Sequence, residues 1–237
     1  MSGHSHWAGI KHRKGINDAK KAQVFTKHGK LISIAAKLGG GKPETNFQLR
    51  LVIERARLDN MPKDKIEKAI LRGTGEGKDL ADIQEVIYEA YGPGQVAMLI
   101  KATTDNKNRA LGEIRTLLQK NGGKMVPGGS ISFLFKQVGA IDIEAKSNQD
   151  DLEMKAIEAG AEDTEFFEGV LTVYTPLEKL QSIKDTLEKV GLKIKNAGPV
   201  YVSVQKTILP ENEKEAYEKL LEILYDQEDV EEIYDNL

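Results

Sequence analysis

The chain has 237 residues, 40% hydrophobic and 30% charged, and no cysteine, which excludes disulfides, thiolate nucleophiles and cysteine-based zinc sites. No apolar run approaches the ~20 residues of a membrane span, and the composition is that of a soluble, cytoplasmic globular protein of two or three domains. The net charge of −3 hides a division: residues 1–75 carry 16 bases against 6 acids, while the other 162 carry 18 against 31. Charges are screened over roughly 8 Å at physiological salt, so the two parts act as separate surfaces.

Residues 1–17 are basic and glycine-spaced (Gly3, Gly9, Gly15), with no helical period. They read as an arm that is disordered or orders only on binding. Asp18 suits an N-cap, and Val24, Leu31, Ala35 and Leu38 then recur at near-helical spacing, with Phe25, Ile32 and Ala36 beside them, until Gly39-Gly40-Gly41. A second helix is predicted from Thr45 or Asn46, with Leu49, Val52, Ile53 and Ala56 inside. A third starts at Pro62, buries Ile66, Ala69 and Ile70, and ends at Gly73. Residues 18–77 thus predict a three-helix bundle.

From residue 84 the period changes. Residues 85–91 and 95–103 predict strands joined by Gly92-Pro93-Gly94. A helix over 106–121 follows, and then a strand over 130–136 with Ile131, Phe133 and Phe135 on one face. Residues 137–204 read strand, helix, strand, strand, helix, strand, the ferredoxin-like order, with Thr175-Pro176-Leu177-Glu178 as a capping box. Tyr217, Leu220, Leu221 and Leu224 form a helical stripe, and Val230, Ile233, Tyr234 and Leu237 repeat its spacing. The expected fold is α+β. An N-terminal three-helix bundle precedes two ferredoxin-like domains, one over 78–136 plus 205–237 and the other, over 137–204, inserted into it.

The basic arm is the first candidate site. Lys11, His12, Arg13 and Lys14 offer contacts to phosphates, and Trp7, the only tryptophan, offers a ring on which a base can stack. Lys20, Lys21, Lys27, Lys30 and Arg50 extend this nucleic-acid-binding set onto the helices. The third helix mixes Lys63, Lys65, Lys68 and Arg72 with Asp64 and Glu67, a pattern better suited to backbone contact than to base readout. Asn108, Arg109, Lys120 and Asn121 border the 106–121 helix. They are read as caps of that helix, with Asp105 at its start and Gly122 after its end, or as a loop that contacts a partner. Eleven acids against two lysines over 211–237 read as a solvated helix face that could meet a basic protein.

Catalysis and cofactors are not expected. No histidine follows His28, no G-x-S-x-G occurs, Gly39-Gly40-Gly41-Lys42 lacks P-loop spacing, and Gly73-x-Gly75-x-Gly77 does not follow a strand. No metal centre is expected either. After loss of Met1, Ser2-Gly3-His4 could wrap Cu(II) or Ni(II) in a square plane, as incidental chemistry.

Several stretches resemble the YebC family: Gly3-His4-Ser5-His6-Trp7-Ala8-Gly9-Ile10-Lys11-His12-Arg13-Lys14, Pro43-Glu44-Thr45-Asn46, Asn60-Met61-Pro62-Lys63-Asp64, Tyr88-Glu89-x-Tyr91-Gly92-Pro93-Gly94, Thr104-Asp105-Asn106-x-Asn108-Arg109 and Lys120-Asn121-Gly122-Gly123. The resemblance spans nearly the whole chain. It implies three domains, one helical and two α+β, and a cytoplasmic, non-enzymatic regulator of gene expression without cofactors. Bacterial members of that family are described as probable DNA-binding transcriptional regulators. A mitochondrial relative is a translational activator, and bacterial members have also been tied to ribosomes, so DNA and ribosomal RNA are both implied partners. Lys27-His28-Gly29-Lys30 and Met125-Val126-Pro127-Gly128 depart from the family pattern.

Overall fold

The structure is a computed structural model that describes residues 18–76, 83–145, 149–167 and 169–237. Three helices come first: α1 (Asp18–Gly39), α2 (Phe47–Leu58) and α3 (Lys63–Thr74). Their shared core is Ile32, Ala35, Ala36, Leu49, Ile53, Ala56, Met61, Ile66 and Ala69, with Phe25, Val52 and Ile70 packed against it. Of the α1 residues expected inside, Ile32, Ala35 and Ala36 lie in this core and Phe25 packs against it, while Leu38 is 80% exposed.

Asn46 sets the corner between α1 and α2. Its side-chain oxygen accepts from the Leu49 amide at 3.0 Å, and its Nδ2 donates to the Ala35 and Gly40 carbonyls, both at 2.8 Å. One buried side chain thereby caps the start of one helix and the end of another. Pro62 stands just before α3 rather than inside it, and the helix runs through Gly73 to close at Gly75, which is left-handed at φ 79°. Gly73 serves packing. A Cβ there would lie 2.2 Å from the Ser33 carbonyl oxygen and 2.8 Å from the Ala36 Cβ. Ser33 Oγ donates to the Ala69 carbonyl at 2.8 Å, so small residues bring α1 and α3 backbone to backbone.

The first sheet contains β1 (Gln84–Tyr91), β2 (Ala97–Thr104), β3 (Lys124–Val126) and β8 (Val230–Asp235), ordered β3-β1-β2-β8 and antiparallel throughout. α4 (Lys107–Lys120) buries Ala110, Ile114 and Leu118, and α7 (Glu211–Asp226) buries Tyr217, Leu220, Leu221 and Leu224. The N-cap of α4 is Asn106, whose side chain accepts from the Arg109 amide, and Asp105 pairs with Arg109 instead. Two expected elements change here. Residues 130–134 are not a strand: Ile131 is buried, Ser132–Leu134 forms a 3-10 turn and Phe133 is exposed, because the chain is held by the Glu89 carboxylate, which accepts from the Gly129 and Ile131 amides. The last apolar residues form strand β8, not helix, and supply the partner that the free side of β2 requires.

The second sheet contains β4 (Phe135–Glu144), β5 (Asp163–Phe167), β6 (Val170–Thr175) and β7 (Ile194–Ser203), ordered β5-β6-β4-β7. With α5 (Gln149–Glu158) and α6 (Leu180–Lys189) it gives the βαββαβ order. The expected capping box does not form. Thr175 Oγ1 donates to the Pro176 carbonyl, and a 3-10 turn at Leu177–Lys179 precedes α6. One compact unit takes the described part of His12–Ser132 with Ile208–Asp235, and the other takes Phe133–Thr207 with Asn236–Leu237. The fold is α+β, with the second α+β segment inserted in the sequence of the first.

Candidate nucleic-acid interface

Trp7, Lys11, His12, Arg13 and Lys14 lie outside the described residues, and for Lys20 and Lys21 only the helical backbone is described. Arg50 is exposed on α2, with its guanidinium carbon 5.1 Å from the centre of the Phe47 ring. On α3, Lys63 pairs with Glu67 at 3.6 Å and Lys65 lies 5.1 Å from the centre of the Phe25 ring, while Lys68 and Arg72 are exposed.

Lys27 and Lys30, expected at the same surface, are turned inward. Lys30 is buried, and its ammonium reaches Asp229 Oδ1 at 2.5 Å and the Glu228 carbonyl at 3.4 Å. Arg109, expected at a partner-facing loop, closes the same cluster. Its Nη2 donates to both Asp229 oxygens at 3.1 Å and also lies 3.1 Å from Asp105 and 3.4 Å from Glu228. The Asp229 side chain has no exposed surface, and Gln227 braces it: the Gln227 side-chain oxygen accepts from the Asp229 and Val230 amides while its Nε2 donates to Asp229 Oδ2. Burial pushes the Asp229 carboxyl up, but the bonds from Lys30, Arg109 and Gln227 outweigh it and hold it below its ordinary value. These two lysines and this arginine lock α1 and the start of α4 to the corner between α7 and β8, so their charges are spent inside the fold.

Lys27 donates to the Tyr225 carbonyl. Burial pulls its ammonium down to about 8, against the nearby Asp226, which raises it. A folded-state value below the unfolded ~10.4 means that the unfolded chain binds more protons between those pH values, so this residue's contribution to stability rises as pH climbs through that window. The expected result is that the urea midpoint of the native chain gains on that of Lys27→Met between pH 8 and 10, with equal slopes at pH 6. Parallel curves across the range would remove Lys27 from the linkage.

Asn121 bonds the Leu117 carbonyl as part of the end of α4, which leaves Asn108 and Lys120 as the exposed members of the expected contact loop. The acidic end is only partly a solvated face. Asp229 is buried with Lys30 and Arg109, Glu231 meets Lys101 and Thr103, and Asp235 accepts from the Tyr217 hydroxyl. Among the described residues, no group of three or more His, Cys, Asp or Glu side chains is placed to hold a metal ion, and no helix is long and apolar enough to cross a membrane.

Two family models match the chain: the TACO1/YebC protein N-terminal domain over residues 5–76, and the TACO1/YebC second and third domain over residues 83–237. The chain belongs to the TACO1/YebC family. Its relatives include a probable transcriptional regulatory protein of Caldanaerobacter subterraneus, 46% identical over all of this chain and 98% of that protein. Another, from Dictyoglomus turgidum, carries the same description and is 47% identical over all of this chain and 95% of its own length. The crystal structure of a conserved hypothetical protein from Aquifex aeolicus superposes with a TM-score of 0.86 at 40% identity, covering 98% of this chain and 96% of that one. The names of these TACO1/YebC relatives point to regulation rather than catalysis.

The central residue of the lock, Asp229, was not singled out from sequence. It sits among eleven acids over 211–237 and carries no local signal of its own.

Proposed function

We propose that this chain is a non-enzymatic, cytoplasmic regulator of gene expression that holds nucleic acid through its N-terminal segment, with DNA and transcriptional control as the first reading. Trp7, Lys11, His12, Arg13 and Lys14 contact it, Lys20 and Lys21 continue the contact, and Arg50 flanks it. One observation carries this reading. The acid-rich C-terminal residues pair with Lys30, Lys101 and Arg109 within the fold, whereas residues 1–21 carry five bases against one acid in the sequence. The names of the relatives support the regulatory role.

A second reading, a factor that activates translation on ribosomal RNA, is favoured by α3. Its exposed cations alternate with Asp64 and Glu67, and Lys63 is already paired, which suits a phosphate backbone and offers little for reading base edges. Exposed Glu215 and Glu218 on α7 leave a basic protein as a further partner.

Crosslinking in cells, with sequencing of the bound nucleic acid and polysome fractionation alongside, separates the two readings. Promoter DNA is expected, and enrichment of ribosomal RNA without promoter DNA would transfer the role to translation. For the arm itself, Lys11→Ala, Arg13→Ala and Lys14→Ala together are expected to flatten the slope of log affinity against log salt by about 3 units. An unchanged slope would take these three side chains off the phosphates.

A further inference from the structure

The first sheet has an edge that is only partly closed. β1 pairs with β2 from Gln84 to Tyr91, but β3 covers β1 only at Glu89, Ala90 and Tyr91. β3 cannot run further, because Pro127 follows Val126 and has no N–H to donate, and the chain then leaves through Gly129 at φ 87°. The hairpin gives the parity of the ladder. The Gly92 amide donates to the Val96 carbonyl at 2.8 Å, so even-numbered residues of β1 bond β2, and odd-numbered ones direct N–H and C=O to the other side. At Glu85 and Ile87 that side carries no strand among the described residues.

A groove of about 600 Å³ lies along this edge, bounded by β1, β3 and α4. Ile87, Leu111, Met125 and Val126 supply the apolar part of its lining, which is about half polar, and Ile87 is 40% exposed. Its free polar groups are Arg115 and Gln119, neither with a partner among the described residues. Its one carboxylate, Glu89, is buried and satisfied by two backbone amides. Exposed Lys124 stands on the neighbouring strand. The groove therefore combines strand backbone unpaired among the described residues, walls that are part apolar, and a positive charge with no counterion among the described residues.

We propose that this edge receives an extended peptide segment of a partner protein, apolar on one side and acidic on the other, as an added strand. Backbone bonds at Glu85 and Ile87 hold it, its apolar side chains cover Ile87, Met125 and Val126, and its carboxylate meets Arg115. Charge complementarity selects an acidic segment. A nucleic acid needs several cations along a groove, whereas this one offers Arg115 in its lining and Lys124 beside it. The inference is independent of the arm and of the nucleic acid it holds.

The test uses the full chain and a short synthetic peptide of alternating valine and glutamate. Hydrogen exchange at the Ile87 amide is expected to slow on peptide addition, while the Val86 and Tyr88 amides, already in the β1–β2 ladder, keep their protection. Arg115→Glu is expected to weaken binding by about tenfold, since it replaces an attraction with a repulsion and disturbs no pair among the described residues. Ile87→Pro, which removes an N–H that no ladder uses, is expected to abolish binding with the sheet intact, and an N-methylated peptide is expected not to bind. Four results would overturn the proposal: no added protection of Ile87 at millimolar peptide; equal binding of a valine–lysine peptide; the same protection produced by single-stranded RNA; or Ile87 protected by self-association of the chain alone.

Discussion

Asp229→Ala is expected to be among the most damaging single substitutions in this chain, at about 3–5 kcal/mol, the range for removing one partner of a buried ion pair and leaving the other charge uncompensated. Lys30 has no comparable substitute. Its ammonium is buried and its other partner is a carbonyl at 3.4 Å. Arg109 retains Asp105 and Glu228 and is closer to solvent, so most of the loss falls on α1. Asp229→Asn keeps the shape and an acceptor but not the charge and is expected to recover only a small part. The same carboxylate sets an acid limit. Its folded-state value lies below the unfolded ~3.9, so its contribution is complete above that pH and fades as pH falls through the folded value. Urea unfolding, with hydrogen exchange along α1 to localise the loss, is the measurement. A loss under about 1 kcal/mol would mean that Lys30 finds water on release and that the cluster does not hold the bundle to the sheet.

The parts of the fold legible in the sequence are those where local period and burial agree. The α7 stripe of Tyr217, Leu220, Leu221 and Leu224 is buried as its spacing indicates, and the inserted segment follows its strand and helix pattern closely. The failures have physical causes. Val230, Ile233 and Tyr234 imitate helical spacing because β8 carries a bulge: Lys101 faces Glu232 and Ala102 faces Val230, so Glu231 is an extra residue that moves the buried positions three apart. Ile131, Phe133 and Phe135 alternate as a strand should, but a long-range bond, from amides at 129 and 131 to a carboxylate at 89, bends that stretch before it can pair. No local pattern announces such a bond.

Charge was legible in sum and not in place. The excess of bases near the start and of acids near the end is plain in the sequence, yet it does not say which cations face solvent. Lys27, Lys30 and Arg109 carry the same side chains as their exposed neighbours. Lys27 and Lys30 turn inward because α1 meets residues 225–229, nearly two hundred positions away, and Arg109 is drawn to Asp229 from α4, 120 positions before it; only the tertiary fold supplies those meetings. Counting residues thus overstated the basic surface of the first helix and the acidic surface of the last strand together, since each partly cancels the other.

Two glycines separate the effect of backbone freedom from that of packing. In an open helix, Gly→Ala stabilises by roughly 0.5–1 kcal/mol, because alanine loses less freedom on folding. Gly112 lies inside α4, and a Cβ there would meet nothing within 4 Å, so Gly112→Ala is expected to raise stability by about that amount. Gly73 is also helical, but its Cβ would stand 2.2 Å from the Ser33 carbonyl oxygen, which is backbone and cannot rotate away. α1 and α3 would have to separate, and the Ser33 Oγ bond to the Ala69 carbonyl would stretch with them. Overpacking of this kind costs about 1–3 kcal/mol and outweighs the gain from helix propensity, so Gly73→Ala is expected to destabilise by roughly that amount. Gly73→Ser is expected to do no better, since its Cβ meets the same oxygen. Denaturation midpoints of the two alanine variants, measured side by side, should move in opposite directions. If both rose, α1 and α3 would have room between them, and the close approach of Ser33 and Gly73 would not be what holds the bundle in register.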